Sequence, residues 1–305
     1  MEYLLLILGI ILLVVGGDFL VKSAVGLANK IKVSPLLIGI TIVSFGTSAP
    51  ELIVSLKATL DGRSGIAIGN IIGSNVANIG LVLGLTVALR PVLVNRKKYF
   101  VSWLIMLIST LMFYGFSLDG EIGEVEGFFF IAGLLAFISI SISFMRKEHV
   151  EEEHSVSLHS IWILVFFILG TLGLYFGSEL LIENASIIAF TMGVSEFIIG
   201  VTIVALGTSL PELATSLIAS LKGQNSISLG NLLGSNVFNV FAVLGITSIV
   251  KPIPVDIFLL YVDIPVMLGF VIVLFLFMFL GKRMGLIEGL ALLVAYFTYI
   301  AYSFL

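Results

Sequence analysis

Apolar residues run through this chain in long blocks, broken by short polar clusters at intervals of roughly one membrane thickness. A membrane-spanning helix needs about 20 mostly apolar residues. Ten blocks meet that length, at about 3–21, 36–59, 65–89, 99–117, 125–145, 160–178, 193–220, 226–250, 257–280 and 284–304. They are too long and too evenly apolar for the ~10-residue alternating strands of a membrane β-barrel. The first block carries Glu2 instead of a basic start, and no small-residue cleavage site follows it, so it is expected to stay as a span. The pattern therefore predicts an all-α polytopic membrane protein.

Composition narrows the class further. Hydrophobic residues make up 59% of the chain and charged residues 11%. A soluble domain sits near half and a quarter respectively, so a soluble enzyme or nucleic-acid binder is excluded, as is disorder. The 15 basic and 19 acidic residues give no bias toward polyanions. With no cysteine, the chain has no disulfide frame and no thiolate chemistry. The basic residues set the threading. About 12 fall in loops on one side, among them Lys30, Lys97, Arg146 and Lys282, against Lys57, Arg63 and Lys251 on the other. The positive-inside rule then puts both termini outside and the loop at Arg146 in the cytoplasm. Trp103 and Trp162 open spans at the cytoplasmic edge, where tryptophans anchor to the interface.

The blocks also repeat. Residues 31–86 align without a gap on residues 192–247, at a shift of 161, with about 30 of 56 positions identical. The shift divides the chain into a five-span unit at 1–145, a polar linker at 146–159, and a second five-span unit at 160–305. Five is odd, so the two copies cross the membrane in opposite senses. Inverted repeats with interrupted helices near the midplane are typical of secondary transporters.

Shared ancestry alone would preserve apolar residues, yet polar ones are matched too. Thr47, Ser48 and Glu51 pair with Thr208, Ser209 and Glu212, and Ser74, Asn75 and Asn78 pair with Ser235, Asn236 and Asn239. Each lies inside an apolar block. A carboxylate there costs at least ~2.5 kcal/mol on insertion scales, which makes a function the first reading. Thr47 and Glu51 are four apart, as are Ser74 and Asn78, so each pair shares a helix face. Pro50 and Pro211 stand directly before the glutamates. Each proline lacks an N–H and crowds the carbonyl four residues back, so the helices should break there and expose carbonyls near Gly46 and Gly207. The resulting donors are all oxygen: carboxylates, hydroxyls, amides and bent carbonyls. Hard cations prefer such a shell.

The motifs GTSAPE and GTSLPE, each followed by a GN-x-x-GSN-x-x-N segment, resemble the two α-repeats of the cation/calcium exchanger superfamily, and most closely its sodium/calcium branch. The resemblance covers the whole ten-span plan. It implies that Glu51 and Glu212 coordinate calcium, with Thr47 and Thr208 adding backbone oxygen. It further implies that Ser48, Ser74, Ser209 and Ser235, with the carbonyls of Ser44 and Ala205, form flanking sodium sites, and that Asn78 and Asn239 line the central site. Asn239 stands where potassium-dependent relatives carry aspartate, which argues against potassium co-transport. The proton/calcium branch has a different motif in place of GTS-x-PE.

The resulting expectation is a secondary antiporter in a prokaryotic plasma membrane, exchanging sodium for calcium by alternating access, with no cofactor. Its partners are the two ions and the lipid bilayer, with no nucleic acid and no obligate protein partner. A proton/calcium antiporter of the same fold is the alternative, because buried glutamates can also carry protons. A channel would need a carboxylate selectivity ring and fits the inverted duplication poorly. An intramembrane enzyme lacks a nucleophile–base pair.

Overall fold

The computed structural model describes residues 1–145, 158–194, 205–281 and 283–303. Most of the expected linker and residues 195–204 of the expected seventh span lie outside the described residues. The described chain is helical, with helices α1 (Glu2–Ile31), α2 (Pro35–Ile38), α3 (Ser44–Thr47), α4 (Ala49–Leu60), α5 (Ser64–Ala77), α6 (Gly84–Leu89), α7 (Arg96–Phe116) and α8 (Glu124–Met145) in its first half. The second half holds α9 (Ser160–Thr191), α10 (Ala205–Gly207), α11 (Leu210–Leu221), α12 (Asn225–Phe238), α13 (Gly245–Val250), α14 (Ile264–Leu280) and α15 (Leu286–Tyr302). Short π-helical turns at Gly39–Val43, Asn78–Leu83, Asn239–Leu244 and Leu259–Asp263 join several of these into longer rods.

Among the described residues, seven helical stretches are long and apolar enough to cross a membrane, or eight if the pieces Pro35–Thr47 and Ala49–Leu60 count as one interrupted span. The ten blocks of the sequence are therefore not all matched by full-length helices. Helix α15 runs only 17 residues, and α11 is a 12-residue piece preceded by the three-residue α10, before which residues 195–204 lie outside the described residues. At ~1.5 Å per residue the 30 residues of α1 reach about 45 Å, well beyond a ~30 Å hydrocarbon core, so tilt or projection is required.

The chain packs as two compact units, Met1–Thr47 with Met145–Asn231, and Ser48–Phe144 with Leu232–Leu305. Each takes elements from both sequence repeats. In the first unit, α1 and α9 lie antiparallel with their backbones in contact. A Cβ added at Gly9 would sit 2.9 Å from the Gly177 carbonyl, and one at Gly16 would sit 2.9 Å from the Gly170 carbonyl. Only glycine permits this approach, and small residues at membrane helix contacts serve the same end elsewhere. Ser23 Oγ donates to the Ile163 carbonyl at 2.7 Å, fixing the other end of the pair.

Helix α1 also crosses α11, where Gly17 faces Ala214 and Ile218. One turn further along α11, Lys222 pairs with Asp18, which also takes Lys22 at 2.8 Å. The repeat mates of Asp18, Lys22 and Lys222 are Glu179, Glu183 and Asp61, all acidic, so this bridge has no counterpart in the other repeat. The Asp18 and Lys222 side chains are 25% and 41% exposed, so screening holds the pair to about 1 kcal/mol or less. Thermal unfolding of D18N, K222Q and the double variant should return a coupling of that size. A coupling near 3 kcal/mol would show that the pair is desolvated.

The second unit is closed by two short antiparallel ladders. Val92–Leu93 pairs with Arg283–Met284, and Glu121–Ile122 pairs with Ile253–Pro254. The shift of 161 carries the strand Val92–Leu93 onto Ile253–Pro254, so each ladder joins one copy to the other. Trp103 departs from the interface role expected of it. It is 7% exposed, donates its indole N–H to the Val271 carbonyl at 2.9 Å and packs on Phe275. A buried indole needs such a partner. Trp162, half-exposed, keeps a position compatible with anchoring.

Candidate functional site

Both proline-glutamate segments break their helices at the same residue. Ser48 and Ser209 share φ −87° and ψ 3°, and each precedes a new helix, α4 and α11, with proline at its second position. Proline is well placed there, since its missing N–H falls among the groups a helix start leaves unpaired anyway. Glu51 and Glu212 are the third residues of these helices. The exposed N–H groups of a first turn carry partial positive charge and favour an adjacent carboxylate. Each glutamate is 0% exposed, so it is enclosed by protein.

In the second unit, α4 packs on α5 and on the π turn that starts at Asn239. This gathers Ser48, Glu51, Ser74, Asn78, Ser235 and Asn239 into one unit, all buried. Asn70 ties the hairpin of α4 and α5 together. Its Nδ2 donates to Ser55 Oγ at 3.0 Å and to the Glu51 carbonyl at 3.4 Å. Asn78 and Asn239 each open a π turn, where the ladder slips to i→i+5, a feature common at functional sites. Neither side-chain atom of Asn78, and not the Oδ1 of Asn239, has a hydrogen-bond partner among the described residues.

The first unit holds Ser44, Thr47, Thr208, Ser209 and Glu212, with α11 packed on α3. Thr47 Oγ1 donates to the Ser44 carbonyl at 3.3 Å and to Asn231 Oδ1 at 3.1 Å. Its one hydroxyl proton is thus directed at two protein acceptors, Ser44 and Asn231. Asn231 Nδ2 donates in turn to Ser216 Oγ at 3.0 Å. Thr208 is half-buried while Thr47 is fully buried, so the copies differ here. Ala205 opens α10, and only its backbone is described.

Asn70 and Asn231, with Ser55 and Ser216, carry no role in the sequence reading, although each pair is identical between repeats. The same asparagine-to-serine bond forms in both copies, 15 residues apart. That identity was the signal available. Among the described residues no three histidine, cysteine, aspartate or glutamate side chains cluster, which leaves neutral oxygens to complete any shell around a glutamate. Asp263, unmatched in the first repeat, accepts a 2.8 Å bond from Tyr299 and joins the start of α14 to α15.

The family described as sodium/calcium exchanger protein matches residues 1–143 and again residues 162–305. CaxA of Alkalimonas amylolytica is 37% identical, covering 96% of this chain and 95% of that protein. The sodium/calcium exchanger MaX1 of Methanosarcina acetivorans is 31% identical over 99% and 98%. Among solved structures, the sodium-calcium exchanger NCX_Mj, soaked without either ion, superposes with a TM-score of 0.86 at 31% identity, covering 99% of this chain and 98% of that one.

Proposed function

This chain belongs to the sodium/calcium exchanger protein family, and from that premise we propose that it is a sodium-driven calcium antiporter working by alternating access. The membership makes it a multi-pass membrane protein that exchanges cations for calcium and is not an enzyme. The choice of sodium follows the resemblance, because GTSAPE and GTSLPE stand where the proton/calcium branch has a different motif, and the cation site itself rests on one observation. A buried glutamate stands in the first turn after a proline break, in duplicate, among neutral oxygen donors. Buried carboxylates without a counter-charge are costly. If the two share a site, as the resemblance implies, one calcium offsets both, whereas sodium does so only if at least two ions bind. The empty carrier should then resist crossing, and that resistance makes exchange obligatory.

The ligand assignment follows the resemblance: Glu51, Glu212, Thr47 and Thr208 for calcium, and Ser44, Ser48, Ser74, Ala205, Ser209 and Ser235 for sodium, with Asn78 and Asn239 at the centre. Three sodium ions per calcium would move one net charge, worth ~2.3 kcal/mol per 100 mV. The ten-span inverted arrangement, 1–145 against 160–305, draws support from α1 and α9. These are repeat mates, and they run antiparallel. Gly9 meets Gly177 while their mates Gly170 and Gly16 meet each other, as a two-fold axis between inverted copies requires. The positive-inside count places both termini outside, and the bacterial and archaeal relatives favour a prokaryotic plasma membrane.

The test is calcium uptake into proteoliposomes loaded with sodium, with external choline and pH clamped on both sides. Uptake should require the outward sodium gradient and accelerate when the interior is made positive, since each cycle carries one net positive charge out. Uptake that ignores sodium and follows an imposed proton gradient would reassign the driver to protons.

A further inference from the structure

We propose that Asn75 is a positioning residue, which fixes the side-chain amide of Asn239 so that its oxygen, and not its NH2, faces the ion path. The proposal rests on the exchanger reading above and adds a residue to it. An asparagine can serve a cation only through Oδ1, and its NH2 end repels one. A buried amide free to turn over therefore presents the wrong end part of the time.

Asn239 is 0% exposed and begins the π turn Asn239–Leu244. Its Nδ2 donates to Asn75 Oδ1 at 3.3 Å, and its Oδ1 has no partner among the described residues. Asn75 is itself oriented, because its Nδ2 meets Met267 Sδ on α14 at 3.5 Å. Sulfur accepts only weakly but does not donate here, so the chain from Met267 through Asn75 to Asn239 has one polarity. The end of that chain is an amide oxygen with its lone pairs uncommitted in a dry setting, where an unmet polar group is expensive. A bound cation satisfies it.

The repeat mates do not reproduce the device. Asn236, the mate of Asn75, donates to the Leu232 carbonyl of its own helix at 2.7 Å. Asn78, the mate of Asn239, has no partner for either side-chain atom among the described residues. Of the two central asparagines, one is held and the other is free to turn. The held one gives a fixed donor, and the free one can adapt to ions of different size.

The experiment measures calcium and sodium affinities from ion-induced thermal stabilisation of the purified protein, which needs no driving gradient. Four variants are compared: N75L, N75D, N239D and N75L/N239D. Leucine matches asparagine in shape but cannot accept, so N75L should weaken ion binding about tenfold, the low end of the ~10–100-fold typical when a partner behind a ligand is lost. N75D keeps the acceptor and should bind more tightly than N75L. In the N239D background the carboxylate has two equivalent oxygens and no wrong end, so adding N75L should cost less than about twofold. An equal loss in both backgrounds would overturn the proposal, since it would mark a packing defect. Unchanged affinity in N75L would overturn it as well. The exchanger reading fails separately, if the unaltered protein is stabilised by neither ion or shows no sodium-driven flux.

Discussion

Replacing Glu51 or Glu212 by glutamine should abolish calcium uptake while leaving the ion-free protein at least as stable as before. Glutamine keeps the shape and one acceptor oxygen, so the change is close to a removal of charge. Both residues are 0% exposed. In such a setting, leaving one charge of a buried opposite pair without its partner costs about 3–5 kcal/mol. At ~1.4 kcal/mol per decade, calcium affinity should fall by more than about 100-fold in either single variant. The ion-free state moves the other way, because each substitution removes a charge from a position with 0% exposure, where burial penalises the charged form. Melting curves in chelator and in saturating calcium separate the effects: the variants should melt at or above the unaltered protein in chelator and lose the calcium-dependent rise. If either variant kept sodium-driven uptake, that glutamate would not be a ligand. If either melted far below the unaltered protein in chelator, its carboxylate would be holding the fold together instead.

The position of these two glutamates was legible because the sequence states it twice. The repeat places Glu51 and Glu212 after the same proline, and the breaks at Ser48 and Ser209 came out with identical backbone angles. The break expected near Gly46 and Gly207 falls at Ser48 and Ser209. The helix ends at Thr47 and restarts at Ala49, and the Ser48 carbonyl already accepts from Leu52 N–H at 3.3 Å. Proline penalties are short-ranged, so the sequence located the break, but which residue leaves the helix depends on the turn that follows.

Tertiary partners were hidden for a different reason. Asn70, Asn75 and Asn231 look alike in an apolar block, and only contact across helices tells a clamp from a ligand. Trp103 opens its span as an anchor would, yet α14 supplies the carbonyl that draws it inside. Asp18 and Lys222 stand 204 residues apart, a distance at which no periodic pattern can pair them. The π turns at Asn78 and Asn239 add one residue to a helical period, and hydrophobic spacing is too coarse to register that.

Gly170 should prove as intolerant of substitution as the glutamates, though through the fold. A Cβ added there would lie 2.8 Å from the Leu20 nitrogen, 2.9 Å from the Gly16 carbonyl oxygen and 3.1 Å from the Leu20 Cα. All three are backbone atoms, so no side chain can swing aside, and α1 and α9 must separate along the seam that Gly9 and Gly177 also form. Overpacking of a tight core costs about 1–3 kcal/mol even where side chains adjust. G170V should reach or pass the top of that range, because parting the helices also loosens the Ser23 bond to Ile163. The expected result is a clear fall in melting temperature in detergent, together with loss of transport. Gly269 is the control, since a Cβ there meets nothing within 4 Å, and G269A should melt within a degree or two of the unaltered protein. Equal melting of G170V and G269A would mean that α1 and α9 are not held backbone to backbone. If G170V melted normally but failed to transport, the seam would instead act in the cycle itself, where the two helices must stay close to move as a pair.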